Sequence, residues 1–264
     1  MRFTKKDILD IHSLDPEEIA LILDTAMGMK EISQRPVKKV PTLRGKTIVL
    51  FFQEPSTRTK LSFEIAAKRL SADSVAIAKA GSSMAKGETL IDTVKNLEAM
   101  RPDVIVMRHG SSGAAYLVAN RVDCSVINAG DGIHAHPSQA LLDMMSVREK
   151  KGRLSGLKLA MIGDIAHSRV ARSDIAGFSK MGAQVWVCAP RTMIPAGIQA
   201  LGCTVAPTME ACVADADVIM MLRIQKERMN DILFPTEREY AGWFGLNRDR
   251  VALAKKDATI MHPG

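Results

Sequence analysis

Short runs rich in β-branched and apolar residues alternate along this chain with longer segments whose apolar positions recur at helical spacing. The first strand-like runs are Thr47–Phe52, Ser74–Ala78, Val104–Met107 and Ser125–Asn128, separated by helix-like segments near Thr57–Leu70, Glu88–Met100 and Gly113–Val122. Thr47 to Phe51 is apolar or β-branched throughout, which suits a strand buried on both faces of a sheet. An amphipathic segment from about Ser138 to Lys151 offers Leu141, Leu142, Met145 and Val147 to one broad face and leads to Gly152. A second alternating set follows, with strands at Lys158–Ile162, Gln184–Cys188, Cys203–Val205, Val218–Leu222 and Thr259–Met261. The rhythm predicts the α/β class: two parallel-sheet α/β domains joined by a helix, over residues 1–149 and 150–264. The sequence holds no internal repeat and no low-complexity tract.

Chemistry concentrates where the first strand ends. Pro55 stops it, and Phe63, Ala66, Ala67 and Leu70 then mark a helix face, so Ser56 or Thr57 stands where an N-cap belongs. A helix N-terminus carries unpartnered N–H groups and a partial positive charge, which favours an anion there. Ser56, Thr57 and Thr59 add hydroxyl donors, and Arg58 adds a planar guanidinium matched to phosphate oxygens. A lone Ser-Thr pair would read as an ordinary cap. Ser-Thr-Arg-Thr after Glu54-Pro55 at a strand end reads as a phosphate cradle.

Ligands of open parallel sheets bind beyond the carboxyl ends of strands. The residues that occupy such ends are Gln53–Thr59, Arg108-His109, Asn128–His136, Gly163–Arg169 and Arg223–Gln225, and one cleft could collect them all. Arg108 ends an apolar strand, where a guanidinium needs a partner. His136 precedes Pro137, a good first helical residue, which puts Gln139 one turn into a helix; alone, His136 would be a capping or loop histidine. Arg169 can face the cleft from the start of a helix, whereas Arg172 packs or pairs internally. Arg223 and Gln225 flank Ile224 and in an extended loop share one face. Lys86, in a Gly- and Ser-containing loop, would by itself be a solvated charge, and Lys226–Arg228 reads as a solvated helix start. Gly130-Asp131-Gly132 lacks the spacing of a dinucleotide loop, so no nucleotide cofactor is expected.

At 264 residues and 47% hydrophobic, the chain can bury one large core or two ordinary ones. No apolar run reaches the roughly 18 residues of a membrane span, and the N-terminus lacks the apolar core of a signal peptide. A cytoplasmic protein without membrane partners is the expectation. The four cysteines lie far apart, without a Cys-x-x-Cys pair, and read as reduced core residues rather than a metal site. The sixteen methionines read as core filling. A net charge of +7 comes from basic residues spread along the chain, with only 4% aromatics; this argues against nucleic acid and suits small anionic substrates.

The stretch from Phe52 to Phe63 resembles the carbamoyl phosphate motif of the aspartate/ornithine carbamoyltransferase family. The resemblance continues through the chain. Ser82 to Leu90 looks like the family's mobile loop and Val106-Met107-Arg108-His109 like its carbonyl-binding arginine. His136-Pro137-Ser138-Gln139, running on to Asp143, looks like its His-Pro-Thr-Gln motif with Ser138 for threonine. Arg223 to Arg228 and Met261-His262-Pro263-Gly264 are similar to the aspartate branch rather than the ornithine branch. The resemblance implies carbamoyl transfer from carbamoyl phosphate to L-aspartate, as in pyrimidine biosynthesis, with neither cofactor nor metal. It implies Ser56, Thr57, Arg58, Thr59, Ser82, Lys86, Arg108, His136 and Gln139 on carbamoyl phosphate, and Lys86, Arg169, Arg223 and Gln225 on aspartate. Of these, Arg58, Thr59, Lys86, Arg108 and His136 would carry the catalysis. It also implies a homotrimer in which Lys86 and Ser82, with Ser83 as second choice, reach a neighbouring subunit's site; regulatory chains or other pyrimidine enzymes are further partners to expect. In the family a proline and a few dozen residues follow the Met261–Gly264 motif, so a fragment of a longer protein is expected. The alternatives are a carbamoyltransferase for ornithine or another amine, and a catalytically silent assembly subunit.

Overall fold

The computed structural model describes residues 3–78, 87–229 and 231–263. The chain divides into two compact units, Met1–Ser138 and Gln139–Gly264, each built on a parallel sheet. The division falls inside the helix that links the two sheets in sequence.

In the first unit, α1 (Pro16–Gln34) precedes β1 (Thr47–Phe52), α2 (Thr57–Arg69), β2 (Asp73–Ala78), α3 (Leu90–Ala99), β3 (Val104–His109), α4 (Ala114–Ala119) and β4 (Ser125–Asp131). The strands are parallel in the order β2-β1-β3-β4. Successive side chains of a strand point to opposite faces, and β1 uses both. Val49 and Phe51 join Val94 and Leu97 of α3 and Ala115 and Val118 of α4 in one core. Ile48, Leu50 and Phe52 join Ala67 of α2 in the other. The doubly buried central strand read from the sequence is therefore present, and α2 starts just beyond its carboxyl end.

Two strand ends differ from expectation by two residues or more, and those of β2 and of the strand Val218–Met221 by one. β3 runs on through His109, so Arg108 lies within the strand, paired in register with Phe52, instead of in the loop after it. β4 continues to Asp131, past the expected end at Asn128, after a register shift between Met107 and His109. Charged residues extend these strands because the fold supplies them with partners. Helix α1 was not expected; Asp15 and Glu18 mark its start, the Glu18 carboxylate accepting from the Asp15 N–H at 3.0 Å.

The linking helix α5 (Pro137–Lys151) begins at the anticipated proline. The second unit continues with β5 (Lys158–Ile162), α6 (Arg169–Lys180), β6 (Gln184–Cys188), β7 (Cys203–Val205), α7 (Met209–Val213), β8 (Val218–Met221), α8 (Glu237–Phe244), α9 (Arg248–Ala252) and β9 (Thr259–Met261). Its strands are parallel in the order β7-β6-β5-β8-β9. Ala160, Ile162, Cys188, Cys212 and Ile219 form part of one core layer. Burial pushes the Cys212 thiol up to about 12, which keeps it an inert apolar residue. Gly163 follows β5 with φ +129°, and a Cβ there would stand 2.5 Å from the Leu222 carbonyl oxygen. Only glycine lets the loops after β5 and β8 approach so closely.

Among the described residues no helix is long and apolar enough to cross a membrane. None of their His, Cys, Asp and Glu side chains cluster, three or more together, in a way that could hold a metal ion.

Candidate active site

In the first unit the site begins at the N-terminus of α2. Ser56 is the N-cap, extended at φ −163° and ψ 101°, yet its hydroxyl makes no capping hydrogen bond. Arg58, in the first turn, is exposed, and no carboxylate among the described residues pairs with it. Thr57 is exposed beside it and Thr59 is half-buried. Hydroxyls and a guanidinium thus surround the positive end of a helix dipole, an arrangement complementary to a phosphate.

Arg108 is held much more firmly. Its Nη2 donates to Glu54 Oε1 at 2.6 Å and its Nη1 to the Ala129 carbonyl at 3.3 Å, with 11% of the side chain exposed. The backbone locks the same corner, since Gln53 N–H donates to the Arg108 carbonyl at 2.8 Å. A guanidinium fixed at both terminal nitrogens is preorganised, and no reorientation is needed when a new acceptor arrives.

His136 is buried, at 6% exposure, with Ser138 Oγ 3.3 Å from its Nδ1. The loop leading to it is pinned by Asp131, a residue that sequence reasoning passed over. Asp131 Oδ1 accepts from Asn128 Nδ2 at 2.8 Å and from the Ala135 N–H at 3.1 Å, while Oδ2 accepts from the Gly113 N–H at 2.6 Å and lies 3.0 Å from His134 Nδ1. An Asp-Gly pair before the His-Pro motif was the only sequence signal. Gln139, one turn into α5, donates from Nε2 to Asp143 Oδ1 at 3.1 Å.

The second unit gathers its polar groups around Asp164, which is fully buried and which lies within the Gly163–Arg169 stretch without having been given a role. Its carboxylate accepts from the His167 N–H at 3.0 Å and the Gln225 N–H at 3.1 Å, and lies 2.9 Å from His167 Nδ1. One buried carboxylate thereby ties the loop after β5 to the loop after β8. Arg223 and Gln225 share a face as anticipated, with Arg223 Nη2 donating to Gln225 Oε1 at 2.9 Å. Arg223 also pairs with Glu227, and that guanidinium holds the Glu227 carboxyl below its usual range. Arg169 opens α6 and is 3% exposed, under the Ser168 cap that accepts from the Ala171 N–H at 3.1 Å. Arg228 is not simply solvated: its Nη1 donates to the His167 carbonyl at 3.0 Å. Ser82, Ser83 and Lys86 lie outside the described residues.

Two family models match the chain: "Aspartate/ornithine carbamoyltransferase, carbamoyl-P binding domain" over residues 6–149 and "Aspartate/ornithine carbamoyltransferase, Asp/Orn binding domain" over residues 155–264. The aspartate carbamoyltransferase catalytic subunit of Desulforapulum autotrophicum is 71% identical over all of this chain and 85% of its own length. That of Desulfosudis oleivorans is 64% identical over the same shares. Among solved structures, aspartate transcarbamoylase from Trypanosoma cruzi in complex with carbamoyl aspartate and phosphate superposes with a TM-score of 0.84 at 27% identity, over 98% of this chain and 84% of that one. Ornithine carbamoyltransferase from Pyrococcus furiosus does so with a TM-score of 0.84 at 31% identity, over 97% and 84%. With both models matching and identities this high along the whole sequence, the chain belongs to the aspartate/ornithine carbamoyltransferase family.

Proposed function

We propose that this chain transfers the carbamoyl group of carbamoyl phosphate to the α-amino group of L-aspartate, giving N-carbamoyl-L-aspartate and phosphate. The observation that carries the reading is the 71% identity, over the whole chain, to a catalytic subunit named for that reaction. The local chemistry agrees with it. The Ser56 hydroxyl, which makes no capping bond, and the exposed Arg58 guanidinium suit a phosphate, and Arg223 beside Gln225 suits a dicarboxylic amino acid better than a cationic one.

In this mechanism the neutral amine attacks the carbonyl carbon, and charge builds on the carbonyl oxygen of a tetrahedral intermediate. Thr59, Arg108 and His136 stabilise that oxyanion, while Gln139 holds the carbamoyl amino group. Ser56, Thr57, Arg58 and Lys86 take the charge of the departing phosphate, which itself accepts the proton released by the amine. Lys86, Arg169, Arg223 and Gln225 receive aspartate. No protein nucleophile and no cofactor is required; catalysis is electrostatic preorganisation and the positioning of two substrates. Residues 1–149 serve as the carbamoyl phosphate domain and residues 150–264 as the aspartate domain. The working assembly is a cytoplasmic homotrimer, with Ser82 and Lys86 supplied to a neighbouring subunit's site.

The test is phosphate release with carbamoyl phosphate and either L-aspartate or L-ornithine, with the product identified by mass. Carbamoyl-aspartate is the expected product. Turnover with ornithine alone would transfer the chain to the sister activity, and turnover with neither would leave the silent-subunit reading standing.

A further inference from the structure

Two buried carboxyl groups of the second unit have no role in the mechanism above. Asp143 on α5 is 4% exposed and Asp174 on α6 is fully buried. The two carboxyls are near enough to act on one another's titration, and Asp143 Oδ2 and both oxygens of Asp174 meet no N–H or O–H donor among the described residues. A carboxylate has no proton to donate, so two of them can be hydrogen-bonded to one another only if one keeps its proton. The cations of the same helices do not offer another solution. Arg169 and Arg172 belong to α6 and Arg148 to α5, and none of them donates to Asp143 Oδ2 or to Asp174. The remaining partner is Gln139, whose Nε2 donates to Asp143 Oδ1.

We propose that Asp143 and Asp174 share one proton between Asp143 Oδ2 and Asp174, and that the pair acts as a positioning device for Gln139. With the proton on the Oδ2 side, Asp143 Oδ1 stays an acceptor and fixes which way the Gln139 amide faces. Nε2 is committed to Asp143, and Oε1 is left to accept an N–H from the carbamoyl amino group. Without that anchor the amide can flip and present a donor to a donor. Burial pushes both carboxyls above the usual range, Asp143 to about 7, and the neighbouring Asp143 charge pushes Asp174 up further, in keeping with a proton retained near neutrality. The assignment to Gln139 rests on the carbamoyl-transfer reading; the shared proton does not.

Two measurements separate these parts. The first compares the folding stability of the wild type and Asp174→Asn as a function of pH, without substrate. A carboxyl whose folded-state pKa is raised contributes stability that is full below the unfolded value near 3.8 and is lost as pH rises through the folded value. In Asp174→Asn the introduced amide donates to Asp143 Oδ2 without a proton to titrate, so the wild type should lose stability relative to this variant between about pH 4 and pH 8. Parallel curves would overturn the shared proton.

The second is steady-state kinetics of Asp174→Asn and of the double variant Asp143→Leu/Asp174→Leu. The amide variant should stay within about threefold of wild type. The leucine pair replaces buried polar groups with apolar ones, which such sites tolerate, so its fold should hold while the KM for carbamoyl phosphate rises about tenfold, the worth of one lost orienting hydrogen bond. A folded leucine pair with unchanged KM would overturn the positioning role. If the wild type itself shows no carbamoyl transfer, it is the functional reading that fails, and the pH comparison still decides the proton.

Discussion

Arg108 allows a substitution whose structural and chemical effects can be separated. The side chain is 11% exposed, its partner Glu54 24%, and their contact is 2.6 Å. Replacing Arg108 with alanine removes a charge-assisted hydrogen bond worth about 1.5–3 kcal/mol. Because Glu54 can turn partly to water, the lower half of that range, about 2 kcal/mol, is the expected stability loss. For a chain of this size that lowers Tm by roughly 4–8 °C. The catalytic effect should be larger. Losing one preorganised oxyanion donor costs on the order of 10²–10³ in kcat, which is about 2.7–4 kcal/mol in the transition state alone. Glu54→Gln is the control: it keeps an acceptor for the guanidinium and leaves the Ala129 carbonyl contact in place, so it should cost about 1 kcal/mol of stability and less than about tenfold in rate. Thermal unfolding by differential scanning calorimetry and initial rates of phosphate release read the two quantities independently. If Arg108→Ala kept kcat within about tenfold of wild type, or lost no more than Glu54→Gln, the guanidinium would be a structural partner of Glu54 and not an oxyanion donor.

Three further outcomes follow from the same geometry. Arg58→Ala should fold normally, since the exposed guanidinium has no carboxylate partner among the described residues, and should lose on the order of 10²–10³ in rate with weakened carbamoyl phosphate binding; retained activity with unchanged affinity would remove Arg58 from the site. Gly163→Val places a Cβ 2.5 Å from the Leu222 carbonyl oxygen at φ +129°, so urea titration should find at least about 3 kcal/mol of destabilisation, and a midpoint unchanged from wild type would refute the close approach. Asp131→Ala strips acceptors from the Gly113, Ala135 and Asn128 donors, and amide hydrogen exchange should show faster opening of the loop that carries His136, with about 2–4 kcal/mol lost overall; protection unchanged in that loop would refute the anchoring role.

The strand pattern of both sheets was legible because parallel strands covered on both faces are written as continuous apolar runs, as in Thr47 to Phe52. The turn after β1 was legible for a different reason: Pro55, Ser56 and the helix after them form one contiguous signal. Charged ends were misread. Arg108 and Asp131 belong to strands because Glu54, Asn128 and the Gly113 amide neutralise or bond them, and those partners come from other points of the chain. Helix α1 carries little apolar contrast, and its one sequence signal, the Asp15 and Glu18 capping pattern, went unread; α8 and α9 begin at the Thr236 and Asn247 caps. The organising carboxylates were the least visible part of the site. Asp164 and Asp131 act on backbone N–H groups, and Asp143 acts on a neighbouring amide and a second acid. None of those relations leaves a spacing rule in the sequence.

The central claim is that one chain binds a phosphate at the start of α2 and an aspartate through the loop after β8. Isothermal titration with N-(phosphonacetyl)-L-aspartate, which carries both groups in one molecule, tests it most directly when wild type, Arg58→Ala and Arg223→Ala are compared. The account predicts tight binding by the wild type and a loss of about tenfold or more for each variant, the worth of a charge-assisted hydrogen bond. No binding by the wild type, or binding that neither substitution weakens, would contradict it.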